Sequence, residues 1–180
     1  GAPISMLGVD FDTKFLVVEM GASAIGEISK LISIVMPDVA IVLKVGLAHV
    51  GEFGGPDAVE VAKSEMVRDL PASAVAVLNI DDPRVVRMAS VTAAPVTWFG
   101  LDEAADVRGV DIEATASGTA FTLEVDGTSR RVQLRILGEH HVMNALAAIT
   151  ATRALGVPIE RSVLALEGLA RAARWRMEVQ

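Results

Sequence analysis

The first half of the chain alternates two hydrophobic rhythms. Lys14 to Met20 (KFLVVEM) is a short apolar run, read as a buried strand, and Gly21-Ala22-Ser23 breaks it. From Gly26 to Val35, the residues Ile28, Leu31, Ile32 and Val35 recur at helical spacing. Pro37-Asp38 stops that helix, and Val39 to Val45 (VAIVLKV) predicts a second buried strand. A glycine-flanked loop holding His49 follows, and Pro56 opens a helix from about Asp57 to Leu70. Val75 to Ile80 is a third strand, ending in Asp81-Asp82-Pro83, with a short helix and a strand near Pro95 to Phe99 after it. Strand–helix alternation of this kind predicts an α/β fold, a mostly parallel doubly wound sheet flanked by helices.

From Asp106 to Leu137 the period changes to two. Val110, Ile112 and Ala114 alternate with polar residues, as do Phe121, Leu123 and Val125, and then Val132, Leu134 and Ile136. Asp126-Gly127 is a hairpin signal, so this stretch predicts a small antiparallel β layer. Helical spacing returns from His141 to Leu155 and from Glu160 to Ala170, and Arg174 to Val179 reads as a last strand. The chain is thus expected to be one domain over 1–180, with an α/β part at 1–105, an antiparallel part at 106–137 and a helical return at 138–180.

Composition narrows the classes. At 52% hydrophobic and 22% charged residues the balance is globular, and 180 residues suffice for one sizeable core. With aromatics at 4%, the core must be aliphatic. A net charge of −7 leaves no basic excess to meet a nucleic-acid backbone, so no nucleic-acid partner is expected. The absence of cysteine excludes disulfides, thiolate metal sites and cysteine nucleophiles, and fits the cytoplasm. The longest apolar stretch, Val39 to Val50, contains Lys44 and His49 and is too short to cross a bilayer, so no membrane partner is expected either.

In doubly wound sheets ligands sit at the carboxyl ends of strands. Glu19, the His49 loop and Asn79 to Asp82 all fall there. Glu19 is either a Mg²⁺ ligand, since Mg²⁺ takes oxygen donors, or a solvated strand end. His49 lies between glycines that let a backbone approach a ligand, but a lone loop histidine is more often structural or solvated. Lys63, in Ala62-Lys63-Ser64-Glu65, is an exposed helix lysine unless its surroundings deprotonate or modify it. Asn79-Ile80-Asp81-Asp82-Pro83 is a possible site or simply a turn and helix start. His140 and Asn144 are four apart at the start of a helix and can share one face, which would suit a flat base. Arg174-Trp175-Arg176 places arginines, good phosphate clamps, at a strand end.

Taken in order, these motifs resemble the central ATP-binding domain of the Mur ligase family. Gly1 to Leu7 resembles the segment before the strand that bears the family's metal-binding Glu. Lys14 to Ile28 (KFLVVEMGASAIGEI) is similar to the D-alanyl-D-alanine-adding subgroup. The His49 segment, Ala62-Lys63-Ser64-Glu65, Asn79 to Pro83, Gly138-x-His140 with Asn144, and Arg176-Met177-Glu178 follow in turn. The resemblance implies ATP and Mg²⁺ as cofactors, and UDP-N-acetylmuramoyl-tripeptide and D-alanyl-D-alanine as substrates joined through an acyl phosphate. It implies Glu19 and His49 as metal ligands and a carbamylated Lys63 as the catalytic residue. Asn79, Asp82, His140 and Asn144 would lie on the nucleotide, and Arg176 near its phosphates.

Some positions depart from the family pattern. Lys44 and Leu47 stand where the subgroup usually has Asn and Thr, and His141 replaces a common Asn. No Gly-x-x-x-x-Gly-Lys-(Ser/Thr) occurs, because the four lysines follow Thr13, Ser29, Leu43 and Ala62. The resemblance therefore implies a phosphate loop and UDP-binding domain before residue 1 and a further domain after Gln180. The chain alone is expected to be inactive, whether an excised fragment or a reduced relative, and to self-associate through an exposed sheet edge. Two other readings stand beside this one, a folylpolyglutamate-synthase-like ligase and a non-catalytic nucleotide-binding or scaffold domain.

Overall fold

The computed structural model describes residues 6–46 and 55–169. The expectations made for Gly1 to Ser5, Leu47, His49, Arg174, Trp175 and Arg176 fall outside the described residues. In chain order the elements are α1 (Glu27–Val35), β1 (Val39–Val42), α2 (Pro56–Arg68), β2 (Val75–Asn79), α3 (Pro83–Met88), β3 (Val96–Gly100), β4 (Val107–Thr115), β5 (Gly118–Val125), β6 (Thr128–Leu134), α4 (Glu139–Ala154) and α5 (Ile159–Glu167). The six strands are hydrogen-bonded in the order β1-β2-β3-β4-β5-β6. The chain divides into two compact units, Gly1–Ala76 with Asp82–Val96, and Val77–Asp81 with Thr97–Gln180.

In the first unit, α1 buries Ile28 and Ile32, one turn apart on the same face, and packs on α2. Helix α2 starts with Pro56 in its first turn, where the missing N–H costs nothing, and also contacts α3 and β1. Asp82 caps α3 by accepting from Arg84 N and Val85 N, and Pro83 follows it. Two sequence expectations are corrected here. Lys14 to Met20 forms no strand: the segment is without regular structure, and Phe15 and Val17 are exposed. An apolar run says that a segment suits a pleated interior, but a strand also needs a neighbour to pair with, and none of the strands pairs with this segment. The second strand ends at Val42 rather than Val45, and it alternates, with Ala40 and Val42 buried and Ile41 exposed. β1 stands first in the strand order, so among the described residues it is paired on one side only.

The second unit holds the antiparallel strands. β3 and β4 are parallel, pairing Phe99 with Val107 and Gly100 with Arg108. Parallel neighbours usually need a long crossover. The short loop 101–106 suffices here because the pairing covers so few residues, and because acidic side chains fasten its backbone. Asp81 accepts from Leu101 N (2.8 Å) and Asp102 N (3.0 Å), and Asp106 accepts from Trp98 N (2.7 Å). β4, β5 and β6 are antiparallel neighbours, the small antiparallel part expected from the sequence, and β4 joins it to β3 in one sheet. α4 packs on β4 and β5, with Leu146 and Val142 over Gly109, and α5 packs on α4 and β6. Phe99, Phe121, Leu146 and Ile149 are fully buried in this unit.

The β5–β6 hairpin turns through Asp126 (φ 50°) and Gly127 (φ 72°), both left-handed as a type I′ turn requires. Gly127→Ala should therefore lower stability by about 1 kcal/mol, read from the shift in urea midpoint at constant slope.

Candidate functional site

In the first unit two of the predicted residues, Lys63 and Asp82, meet the backbone that follows β1. Lys63 projects from α2, half-buried, and its Nζ donates to the carbonyl of Lys44 at 2.6 Å. Burial holds the Lys63 ammonium below the ordinary lysine range. The Asp82 carboxylate opposes that shift and the Lys44 ammonium reinforces it. Asp82 itself is committed to backbone. One oxygen caps α3, and the other accepts from Val45 N at 2.7 Å. A depressed, half-buried amine beside a fixed carboxylate can spend more time neutral than a surface lysine does, and a neutral amine is the nucleophilic form. Glu19 is exposed in the segment without regular structure. Among the described residues, no three His, Asp or Glu side chains converge as a ready-made metal cage.

In the second unit the strand end Asn79–Asp81 folds on itself. Asn79 is buried, and its Oδ1 accepts from Asp81 N at 2.9 Å, an Asx turn that aims Asp81 at the loop after β3. Helix α4 begins after Gly138 (φ 120°), whose N–H donates to Thr119 Oγ1. His140 and Asn144 are both exposed near that start. Asn144 stands at a cleft of about 140 Å³ floored by Leu134, Ile136, Ala145, Leu166 and Leu169. The histidine that lines this cleft is His141, not His140. The two imidazoles lie with ring centroids 4.0 Å apart, and burial, then the neighbouring His140, pushes the His141 pKa down. An apolar slot lined also by an amide and by an imidazole whose pKa is lowered suits a planar heteroaromatic ring. A larger cleft of about 290 Å³, between the β5–β6 hairpin and the start of α5, has Arg130 and Glu160 as its charged groups and none of the predicted residues.

Sequence reasoning missed two participants. His141 was read only as a departure from a common Asn. Its spacing of three from Asn144 is as compatible with one helix face as the spacing of four that favoured His140. Glu65 was read only as part of a motif. It is 1% exposed, and its carboxylate accepts from Gly26 N (2.6 Å) and Ser29 N (3.1 Å), the uncapped first turn of α1. A Glu at the inward-facing position of α2 between Ala62 and Val67 was the available signal. His49 and Arg176 lie outside the described residues.

The Mur ligase middle domain family matches residues 2–152. Over 181 residues the chain is 36% identical to the UDP-N-acetylmuramoyl-tripeptide–D-alanyl-D-alanine ligase of Mycobacterium tuberculosis, covering 99% of this chain and 35% of that protein. The Escherichia coli ligase of the same name is 32% identical over 162 residues, covering 89% of this chain and 36% of that one. Among solved structures, MurF from Acinetobacter baumannii superposes with a TM-score of 0.92 at 35% identity, over 99% of this chain and 39% of that one. MurF ligase from Thermotoga maritima in complex with ADP gives 0.82 at 29% identity, over 94% and 39%. The chain therefore spans about a third of the length of the curated relatives it matches. No helix among the described residues is long and apolar enough to cross a membrane.

Proposed function

The chain belongs to the Mur ligase family, matching its middle domain, and from that premise we propose that it is the nucleotide-handling part of an ATP-dependent ligase joining D-alanyl-D-alanine to UDP-N-acetylmuramoyl-tripeptide. The observation that carries this reading is the likeness to ligases of that name over 99% of the chain, with one solved relative bound to ADP. In the proposed reaction ATP phosphorylates the tripeptide carboxylate, releasing ADP. The amine of D-alanyl-D-alanine then attacks the acyl phosphate and expels phosphate. ATP and soluble nucleotide-linked precursors place such a reaction in the cytoplasm.

The chain's own residues divide the work. The cleft lined by Asn144 and His141 fits adenine, because the rest of its lining is apolar and these two side chains supply polar groups; His140 stands beside His141. Mg²⁺ would be held by Glu19 and the His49 imidazole, leaving most of its shell to water and phosphate oxygens as that ion prefers. Where bound, the ion neutralises charge on the phosphate oxygens. Arg176 is assigned to the same phosphates. Asn79 and Asp82 are likewise assigned to the nucleotide. Lys63 is the residue whose amine, its pKa lowered by burial, adds carbon dioxide in its neutral form and releases a proton, becoming an acid where a cation stood.

Because the 180 residues hold no Gly-x-x-x-x-Gly-Lys-(Ser/Thr), the chain alone should release no phosphate from ATP in the presence of both substrates. A complete ligase containing it should do so only when UDP-N-acetylmuramoyl-tripeptide and D-alanyl-D-alanine are both supplied. Turnover by the 180-residue chain, or by the complete enzyme with glutamate in place of the dipeptide, would overturn the assignment.

A further inference from the structure

One peptide unit in the first unit is held at both ends by side chains of opposite charge. The carbonyl of Lys44 and the N–H of Val45 belong to the same amide. The carbonyl accepts from Lys63 Nζ at 2.6 Å and the N–H donates to Asp82 Oδ2 at 2.7 Å. Both bonds are short and charge-assisted, and they polarise the amide in the same sense. The cation draws electron density toward the oxygen, which makes the N–H a better donor to the carboxylate. Hydrogen bonds in series strengthen one another in this way. Asp82 is itself fixed by its other oxygen, which caps α3 through Arg84 N and Val85 N. A rigid helix start, a carboxylate, an amide and an amine thus form one line.

We propose that Asp82 is a positioning residue for Lys63, acting through the Lys44–Val45 peptide. The carboxylate fixes the plane of that amide, and the amide carbonyl fixes the Lys63 amine where β1 ends. This role rests on the reading of Lys63 as the functional amine. It also explains why a lysine at position 44 is harmless to the arrangement: Lys63 uses the backbone carbonyl of that residue, while the Lys44 side chain is exposed. Of the charged groups acting on Lys63, Asp82 attracts its ammonium and Lys44 repels it, so removing the Asp82 charge leaves burial and repulsion unopposed.

The test uses the 180-residue chain and needs no turnover. Asp82→Asn keeps a good helix cap but presents either no charge or an N–H to Val45. Competitive acetylation across pH, read by mass spectrometry with Lys14, Lys30 and Lys44 as internal references, gives the reactivity midpoint of Lys63. The proposal expects Asp82→Asn to move that midpoint to lower pH and Asp82→Glu to recover part of the shift. Loss of a merely structural cap would loosen the site, wet Lys63 and move the midpoint up toward the other lysines. A midpoint that rises or stays in place overturns the proposal. In a second arm, Lys63→Met should move the Val45 amide proton upfield in the ¹H–¹⁵N spectrum, although its own partner is Asp82. An unchanged Val45 resonance overturns the relay even if Asp82→Asn fails to fold. Neither readout depends on ligation, so a negative result leaves the ligase reading standing, and absence of ligation in the complete enzyme leaves the relay standing.

Discussion

Glu65→Ala should destabilise the 180-residue chain by about 3–5 kcal/mol. Two effects add. Gly26 N and Ser29 N are donors of the first turn of α1, where no intrahelical acceptor exists. No side chain of α1's own N-cap reaches them, because that residue is Gly26. The Glu65 carboxylate serves both, and its negative charge lies at the positive end of the helix. Truncation strands both donors in a site that is 1% exposed and leaves a void behind. Glu65→Gln should cost less, about 2 kcal/mol, since one carbonyl oxygen survives while the amide N–H₂ faces a donor. Urea denaturation measures both changes. Hydrogen exchange at the Gly26 and Ser29 amides locates them: both should exchange faster in Glu65→Ala even where the chain remains folded. If exchange at these amides is unaltered, the capping account is wrong.

This contact also marks the limit of what periodicity could reveal. The hydrophobic rhythm gave α1, α2, α4 and α5 within a few residues, because Ile28 with Ile32, or Val142 with Leu146 and Ile149, report a buried face directly. It gave the β5–β6 hairpin from Asp126-Gly127, because that dipeptide satisfies a steric demand local to the turn. It failed at Lys14 to Met20, where the composition of a strand is present and the partner is not. Pairing is a property of two segments, and a single run carries only half of it. The same reasoning applies to the site. Lys63 was legible as a lysine on a helix, but its lowered pKa comes from burial and is opposed by Asp82, which lies nineteen residues further along the chain. Asp82 was legible as a helix start, which it is, while its bond to Val45 was not. That His141 rather than His140 lines the cleft with Asn144 was not legible, because spacings of three and of four both share a helix face.

Lys63→Ala in a complete ligase carrying this domain should lower kcat by roughly 10²–10³-fold, the usual loss when one preorganised polar group is removed from a site of charge development. Lys63→Arg should do no better, because a guanidinium stays protonated and cannot add carbon dioxide. The proton linkage gives the mechanism a separate signature in the 180-residue chain. Burial lowers the Lys63 pKa in the folded state, so between that lowered value and the ordinary lysine range the unfolded chain binds more protons than the folded one. Stability therefore rises with pH across that window, and the cost of desolvating the ammonium is fully present below it. Lys63→Met should erase this rise, as seen by comparing urea midpoints of the two proteins at alkaline pH with those near neutrality. In ¹³C-bicarbonate, the same chain should show a carbamate carbon resonance that strengthens as pH climbs toward that window and is missing from Lys63→Arg. Full ligase activity in Lys63→Ala would remove Lys63 from the chemistry. A normal loss of activity without any carbamate signal would keep the residue in the site, but as an amine and not as an acid.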